Sequence, residues 1–237
     1  MSAVVAYPSS QGCAGSILQS IVYLKFDKPL HQQRIKGKSL RGAIGRLYSE
    51  YQLLHQHKED GRVDYCYPLV QYKMYGKKGY IVGLCDGAKL VTTLDIVAET
   101  LNLEGMNYRI MSKEVNIQQV SYKITTEIIP YSFLTPWLAL NEENYEKYGT
   151  LSTVEQKNLL RRILIGNILS MSKGLGYVVT EEIKVSQLDV YPVKTPVRLK
   201  GVGMTGFKGS FSVNFDLPDY LGLGKSVSRG FGTIKRV

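Results

Sequence analysis

The chain holds only three histidines, His31, His55 and His57, and histidine is the side chain whose ordinary pKa suits proton transfer near neutrality. His31 sits in a stretch with Pro29 and Gly37 that reads as a loop. His55 and His57 sit where a helical apolar period gives out. An imidazole there can serve as general acid or base, with Lys58 and Arg62 close enough in sequence to steady an anion. Two residues apart, the histidines point roughly opposite ways on a continuing helix and the same way on an extended chain, so a single reacting group is expected to meet one of them. The competing reading is a solvated helix end, where a protonated histidine complements the helix dipole. For Lys58 and Arg62 it is a solvated surface.

The second chemical segment is the tail. Gly222, Gly224, Gly230 and Gly232 fall within eleven residues, with Lys225, Ser226, Ser228 and Arg229 between them. Such spacing frees the backbone for positive φ and for close approach to a ligand. The interposed side chains and backbone N–H groups can donate to phosphate or form an anion nest. A glycine-rich hairpin that merely turns the chain is the alternative. A nucleotide P-loop is excluded, because no GxxxxGK[ST] precedes a helix. A dinucleotide fingerprint is excluded as well, because the flanks read as strands and no acidic residue follows at the required distance. Arg34, Lys36, Lys38, Arg41 and Arg46 form a basic run into and along the first helix, and the dipole at its N-terminus would help Lys36 and Lys38 hold phosphate. Lys157, Arg161 and Arg162 form a second cluster. Lys73 is a weaker candidate, since alternate strand residues face opposite sides.

These groups need a scaffold. Residues 16–25 read as a strand. From Ser39, a plausible N-cap, Leu40, Ala43, Ile44, Leu47, Tyr51 and Leu54 recur at helical spacing. A hairpin is expected from 65–75 and 80–85, joined through 76–79, then a helix over 88–101 and a strand over 114–129. That order, β-α-β-β-α-β, is the ferredoxin-like unit. After Pro130 come an apolar stretch broken by Pro136, a polar connection over 142–148, a strong helix over 151–173 and strand-like runs at 177–185, 197–202 and 207–215. The expected fold class is α+β, with two ferredoxin-like (RRM-like) units in tandem, residues 1–129 and 130–237, the second altered and ending in the glycine-rich loop.

Composition narrows the class. Of 237 residues, 44% are hydrophobic and 21% charged, enough to build a core without disulfides or metal. The net charge of +10 favours a polyanion partner. Seventeen tyrosines can stack on unpaired bases, though tyrosine also packs well in sheets. The three cysteines, Cys13, Cys66 and Cys85, form no CxxC pair, so no zinc site or other cofactor is expected, and their usage suits a reducing cytoplasm. No signal peptide is expected from residues 1–20, and no run approaches the length of a membrane span. No G-x-S-x-G elbow is present, which leaves a serine hydrolase without support.

The tail, a strand followed by GxG, a basic-serine stretch, GFG and a short strand, resembles the signature of the RAMP superfamily. Within it, residues 207–211 (FKGSF) through Gly232, a histidine just past the first helix and residues 67–73 (YPLVQYK) opening the next strand are similar to the CRISPR repeat-cleaving endoribonucleases. The resemblance implies metal-independent cleavage of CRISPR repeat RNA, with the ribose 2′-OH attacking the adjacent phosphate to leave a 2′,3′-cyclic phosphate and a 5′-OH. It implies a catalytic histidine at the end of the first helix. His57 suits the spacing to Tyr65 and Tyr67 somewhat better, and His55 suits the local Leu-His context. It also places a ribose-orienting tyrosine at Tyr48 or Tyr51. RNA binding is expected of Lys36, Lys38, Arg41, Lys58, Arg62, Gly222, Gly224, Lys225, Ser228, Arg229, Gly230 and Gly232. A non-cleaving RAMP subunit that holds guide RNA is the alternative, followed by a protein-interaction module with an incidental basic surface. Homodimer formation and membership of a larger CRISPR effector complex stay open.

Overall fold

The apolar residues of the first strand occupy both of its faces, the pattern of a strand covered on two sides. In the computed structural model, which describes residues 15–31, 35–54, 66–75, 78–194, 197–199 and 202–237, this strand, β1 (Ser16–Phe26), lies at the centre of a five-stranded sheet. The sheet order is β2-β3-β1-β5-β4, with β2 Val70–Tyr75, β3 Lys78–Leu84, β4 Thr100–Leu103 and β5 Met106–Ser121. Helices α1 (Gly37–Leu47) and α2 (Asp86–Thr93) cover one face, where Leu40, Ala43, Ile44, Leu90 and Val91 share a core with Val22, Leu24 and Ile81. The other face meets the second half of the chain. There Ile17, Val82 and Leu84 join a core with Phe215, Leu217 and Leu221.

Several boundaries differ from expectation. Helix α1 begins at Gly37, and Ser39 is not its N-cap. Its hydroxyl instead accepts from the Lys36 N–H (3.3 Å) and donates to Glu104 Oε1 (2.6 Å). The helix ends at Leu47, and Gln52–Leu54 form a separate 3-10 turn that buries Leu54. Helix α2 stops at Thr93, eight residues short of Leu101, because the Lys113 ammonium donates to the carbonyls of Thr92 (2.9 Å) and Leu94 (2.5 Å) and takes over the helix end. Leu101 and Leu103 then alternate with exposed Thr100 and Asn102 in β4, a strand the sequence reading missed. The long run expected over 114–129 is two strands, β5 and β6 (Lys123–Phe133), with buried Tyr122 between them. The division expected between residues 129 and 130 falls inside β6.

The second half builds a four-stranded sheet in the order β11-β6-β10-β7. Its strands are β7 Val185–Pro192, β10 Phe207–Asp216 and β11 Ile234–Arg236, besides β6; β8 (Val197–Leu199) and β9 (Val202–Met204) make a separate ribbon. The stretch taken for a polar connection is helix α3 (Glu142–Thr150). Asn141 caps it through a bond from the Asn144 N–H (2.7 Å), and a Glu143–Lys147 pair spans one turn. It buries no residue, so it has no apolar period to read. Helix α4 (Thr153–Gly174) carries a Ser152–Glu155 capping box and packs Leu160, Leu164, Ile168 and Met171 beside Trp137, Phe211 and Phe215. The strand expected over 177–185 starts only at Val185. Before it, the Asn214 side chain bonds the backbone of Lys184 (2.6 Å) and Glu182 (3.0 Å), occupying groups that a ladder would use. Among the described residues no helix is long and apolar enough to cross a membrane.

Candidate functional site

The glycine-rich tail is a hairpin whose tip is driven into the first half of the chain. Backbone bonds Ile234 N–H to Leu221 (2.9 Å) and Leu223 N–H to Gly232 (2.9 Å) close its base. The tip turns through a 3-10 segment, Val227–Arg229. Gly224, Gly230 and Gly232 have φ of +87°, +94° and +61°, the region that glycine enters without penalty. Many of the expected nest donors are already committed: the N–H groups of Lys225, Arg229, Gly230 and Gly232 bond the carbonyls of Leu138, Ser226, Val227 and Pro136. Much of the loop's backbone is therefore spent on its own turn and on anchoring it to residues 136–138. What it can offer an anion comes chiefly from side chains, with Lys225 exposed, Arg229 half-buried and Ser228 buried.

The tip lies between the start of α1 and strand β2. A Cβ placed on Gly37 would stand 2.2 Å from the Tyr72 carbonyl oxygen and 2.5 Å from that of Arg229, and one on Gly230 would stand 2.7 Å from the same Tyr72 oxygen. Three backbones thus touch where only glycine fits. Beneath them lies Lys73, 1% exposed, whose ammonium donates to Gln71 Oε1 (2.8 Å) and reaches the Val227 carbonyl (3.5 Å). Burial lowers its pKa from the ordinary lysine value to about 7, because a buried charge is disfavoured. The Tyr67 hydroxyl donates to the Gly222 carbonyl (2.8 Å). Sequence reasoning ranked Lys73 a weaker candidate and gave Tyr67 and Gln71 no role beyond their place in the run 67–73. The legible signal was two polar residues at alternate positions of an otherwise apolar strand.

Arg41, half-buried on α1, meets the field of Arg229 from the tail. Burial first, then the Arg229 charge, push its guanidinium below its ordinary pKa, against an opposing pull from the Tyr72 hydroxyl. Two cations from distant parts of the sequence are brought together, and a polyanion would relieve their repulsion. Lys36 and Lys38 are exposed at the same helix end.

Tyr72 also links this junction to the end of the first helical region. Its backbone touches Gly37 and Gly230, while its hydroxyl donates to the Leu54 carbonyl (3.1 Å). Leu54, the residue before His55 in sequence, therefore lies one tyrosine side chain from the glycine-rich tip. His55, His57, Lys58 and Arg62 themselves lie outside the described residues. His31 is exposed, and its carbonyl accepts from the Ile35 N–H (2.9 Å). The two candidate tyrosines part company. The Tyr48 hydroxyl is taken by the Asp95 carbonyl and packs against the core, whereas Tyr51 is exposed beside it, with ring centroids 6.3 Å apart.

This architecture has known counterparts. Family models of the Cas6b N-terminal domain and the Cas6b C-terminal domain match residues 18–121 and 123–237. The chain belongs to the Cas6b family. A crystal structure of Cas6b resembles it with a TM-score of 0.86 and 34% identity, covering 94% of this chain and all of that one. A second, described as CRISPR RNA processing endoribonuclease Cas6b, gives 0.73 at 34% identity over 93% of this chain and all of its own. An uncharacterized protein of Methanocaldococcus jannaschii is 44% identical over 137 residues, 58% of this chain and 92% of that protein.

Proposed function

We propose that this protein is an endoribonuclease that processes CRISPR repeat RNA without a metal ion. The observation that carries the reading is the docking of the glycine-rich tip on α1 and β2, where Tyr72 also bonds Leu54, the residue before His55 in sequence. The description of a Cas6b relative, matched over all of its chain, as a CRISPR RNA processing endoribonuclease supports it. In this reading each half is a ferredoxin-like unit, the units divide close to Tyr122, and the glycine-rich tip stands where the second unit would carry its second helix.

The scissile phosphate lies over the tip, held by Arg41 and Arg229, with Lys36, Lys38 and Lys225 on the approach, and Lys58 and Arg62 help neutralise it. One imidazole, His57 or His55, moves the proton at the 2′-OH or at the leaving 5′ oxygen. Tyr51, with its ring exposed, orients the ribose, while Tyr48 holds α1 to Asp95. Because nucleophile and phosphate belong to one nucleotide, fixing their in-line geometry supplies a large share of the rate, and the guanidinium groups stabilise the charge that gathers on the phosphate. The protein works in the cytoplasm on the repeat transcript.

The test is end-labelled repeat RNA incubated with purified protein in EDTA. Cleavage at one position with a 2′,3′-cyclic phosphate end, lost in His55→Ala or His57→Ala and kept in His31→Ala, is expected. Tight binding with no cutting across a pH series would reduce the protein to an RNA-holding subunit.

A further inference from the structure

The face of the first sheet opposite its helices carries a group of tyrosines that the cleavage site does not use. Tyr23 on β1 and Tyr80 on β3 are register partners on the central strands, with ring centroids 5.7 Å apart at 41°. Tyr220 reaches across from the segment after β10 and lies over Tyr80, with centroids 5.7 Å apart and planes at 23°. The three rings are half-buried, so part of each faces solvent. The Lys78 ammonium stands 4.9 Å from the centre of the Tyr23 ring. Lys25, two residues beyond Tyr23 and on the same face, is exposed. The rings continue into a groove of about 540 Å³ lined by Gln19, Ile21, Gln118, Asp219, Tyr220 and Arg236.

Two features set this group apart from ordinary sheet packing. Tyr220 holds a φ of +65°, a left-handed conformation that bulky residues avoid unless the surroundings impose it, and such strain gathers at functional sites. Exposed Lys25 and Lys78 stand beside the rings, together with exposed Glu114, the register partner of Tyr23 on β5. Asp216 and Asp219 in the groove are tied to Arg236 through its side chain and its backbone N–H, and Lys25 and Lys78 outnumber Glu114 at the rings. Flat aromatic faces on the central strands accept any unpaired base by stacking, and the exposed Gln118 amide can both donate to and accept from base edges, whereas buried Gln19 holds the Asp219 carbonyl (2.8 Å).

We propose that this face is a second RNA subsite: a base-stacking platform of Tyr23, Tyr80 and Tyr220 that grips unpaired nucleotides of the substrate away from the cut, with Lys25 and Lys78 taking their phosphates. The inference rests on the RNA-processing reading and extends it. Substrate length and single-strandedness are sensed here, and chemistry is done at the glycine-rich tip.

The experiment measures binding of a fluorescent repeat RNA, and of a shorter RNA trimmed to the nucleotides around the cut, to wild type, Tyr23→Leu, Tyr80→Leu and Tyr80→Phe. Each leucine variant should bind the long RNA about 5- to 150-fold more weakly, the range expected for one lost base stack. The short RNA should be bound equally by all four, and Tyr80→Phe should match wild type. Cleavage at saturating RNA should keep its kcat while KM rises. Photo-crosslinking of wild type with RNA carrying 5-iodouridine, which needs no variant to fold, should label peptides containing Tyr23, Tyr80 or Tyr220. Unchanged affinity in the leucine variants with no such crosslinks, while wild type still cuts, would overturn the platform alone and leave these rings to protein contact. Absence of RNA binding by wild type would overturn both readings.

Discussion

Gly37→Ala sets two effects against each other. Alanine is the better helix former by about 1 kcal/mol, so propensity alone favours the change. The new Cβ, however, would stand 2.2 Å from the Tyr72 oxygen and 2.5 Å from the Arg229 oxygen, where ordinary contact begins at 3.4 Å. The shortfall is about 1.2 Å, and neither obstacle is a flexible side-chain end. Strand β2 is paired with β3 along its whole length, so the glycine-rich tip is the part that gives way. A displacement near 1 Å at a reacting centre costs about 100-fold in rate. We therefore expect Gly37→Ala to fold with its secondary structure intact and to lose about two orders of magnitude in single-turnover cleavage. Gly42→Ala on the same helix is the control. Its Cβ would meet only Arg46 Nη1, at 3.5 Å, and it should gain up to about 1 kcal/mol and cut normally. Wild-type cleavage by Gly37→Ala would refute the argument that tip and helix must touch.

Lys73→Met tests the buried ammonium. With a folded pKa of about 7 and an unfolded value near 10.4, the unfolded chain binds the more protons between them, so stability rises with pH through that window and the full penalty applies below it. Wild type should gain about 2 kcal/mol between pH 7 and pH 9, and denaturant melts of Lys73→Met should lose that slope. Arg229→Ala and Arg41→Ala should each flatten the log–log salt dependence of RNA affinity by about one phosphate contact, roughly 0.7 to 0.9 in slope; unchanged slopes would remove both residues from the phosphate path. Ser152→Ala deletes a capping box on α4 and should cost about 1 kcal/mol by thermal melting without altering RNA binding.

Strongly periodic or well-capped elements were legible in the sequence. The strand at Ser16, the hairpin around Gly79 and the helix opened by Ser152 declare themselves through local chemistry. What escaped depends on distant partners or on the lack of an apolar face. Helix α3 buries no residue, and Leu101 falls at helical spacing from Leu90, Leu94 and Val97 although Lys113 of β5 ends the helix before it. The tail was read as an anion-binding loop, and its glycines do set close backbone contacts, but its backbone donors are mostly spent on the loop itself and on residues 136–138. Lys73 was discounted as one of two alternating faces, and only the fold shows that its face lies beneath the tail. The Tyr23–Tyr80–Tyr220 group joins residues some 200 positions apart, beyond the reach of any local pattern.

The account stands on one phosphate being shared by the tail and the segment that follows Leu54. A structure of the protein bound to repeat RNA with a 2′-deoxy nucleotide at the cut would measure this directly. The scissile phosphate should lie within hydrogen-bonding distance of an imidazole of His55 or His57 and of a donor from residues 225–230. Both imidazoles on the far surface, with the phosphate bound elsewhere, would contradict it.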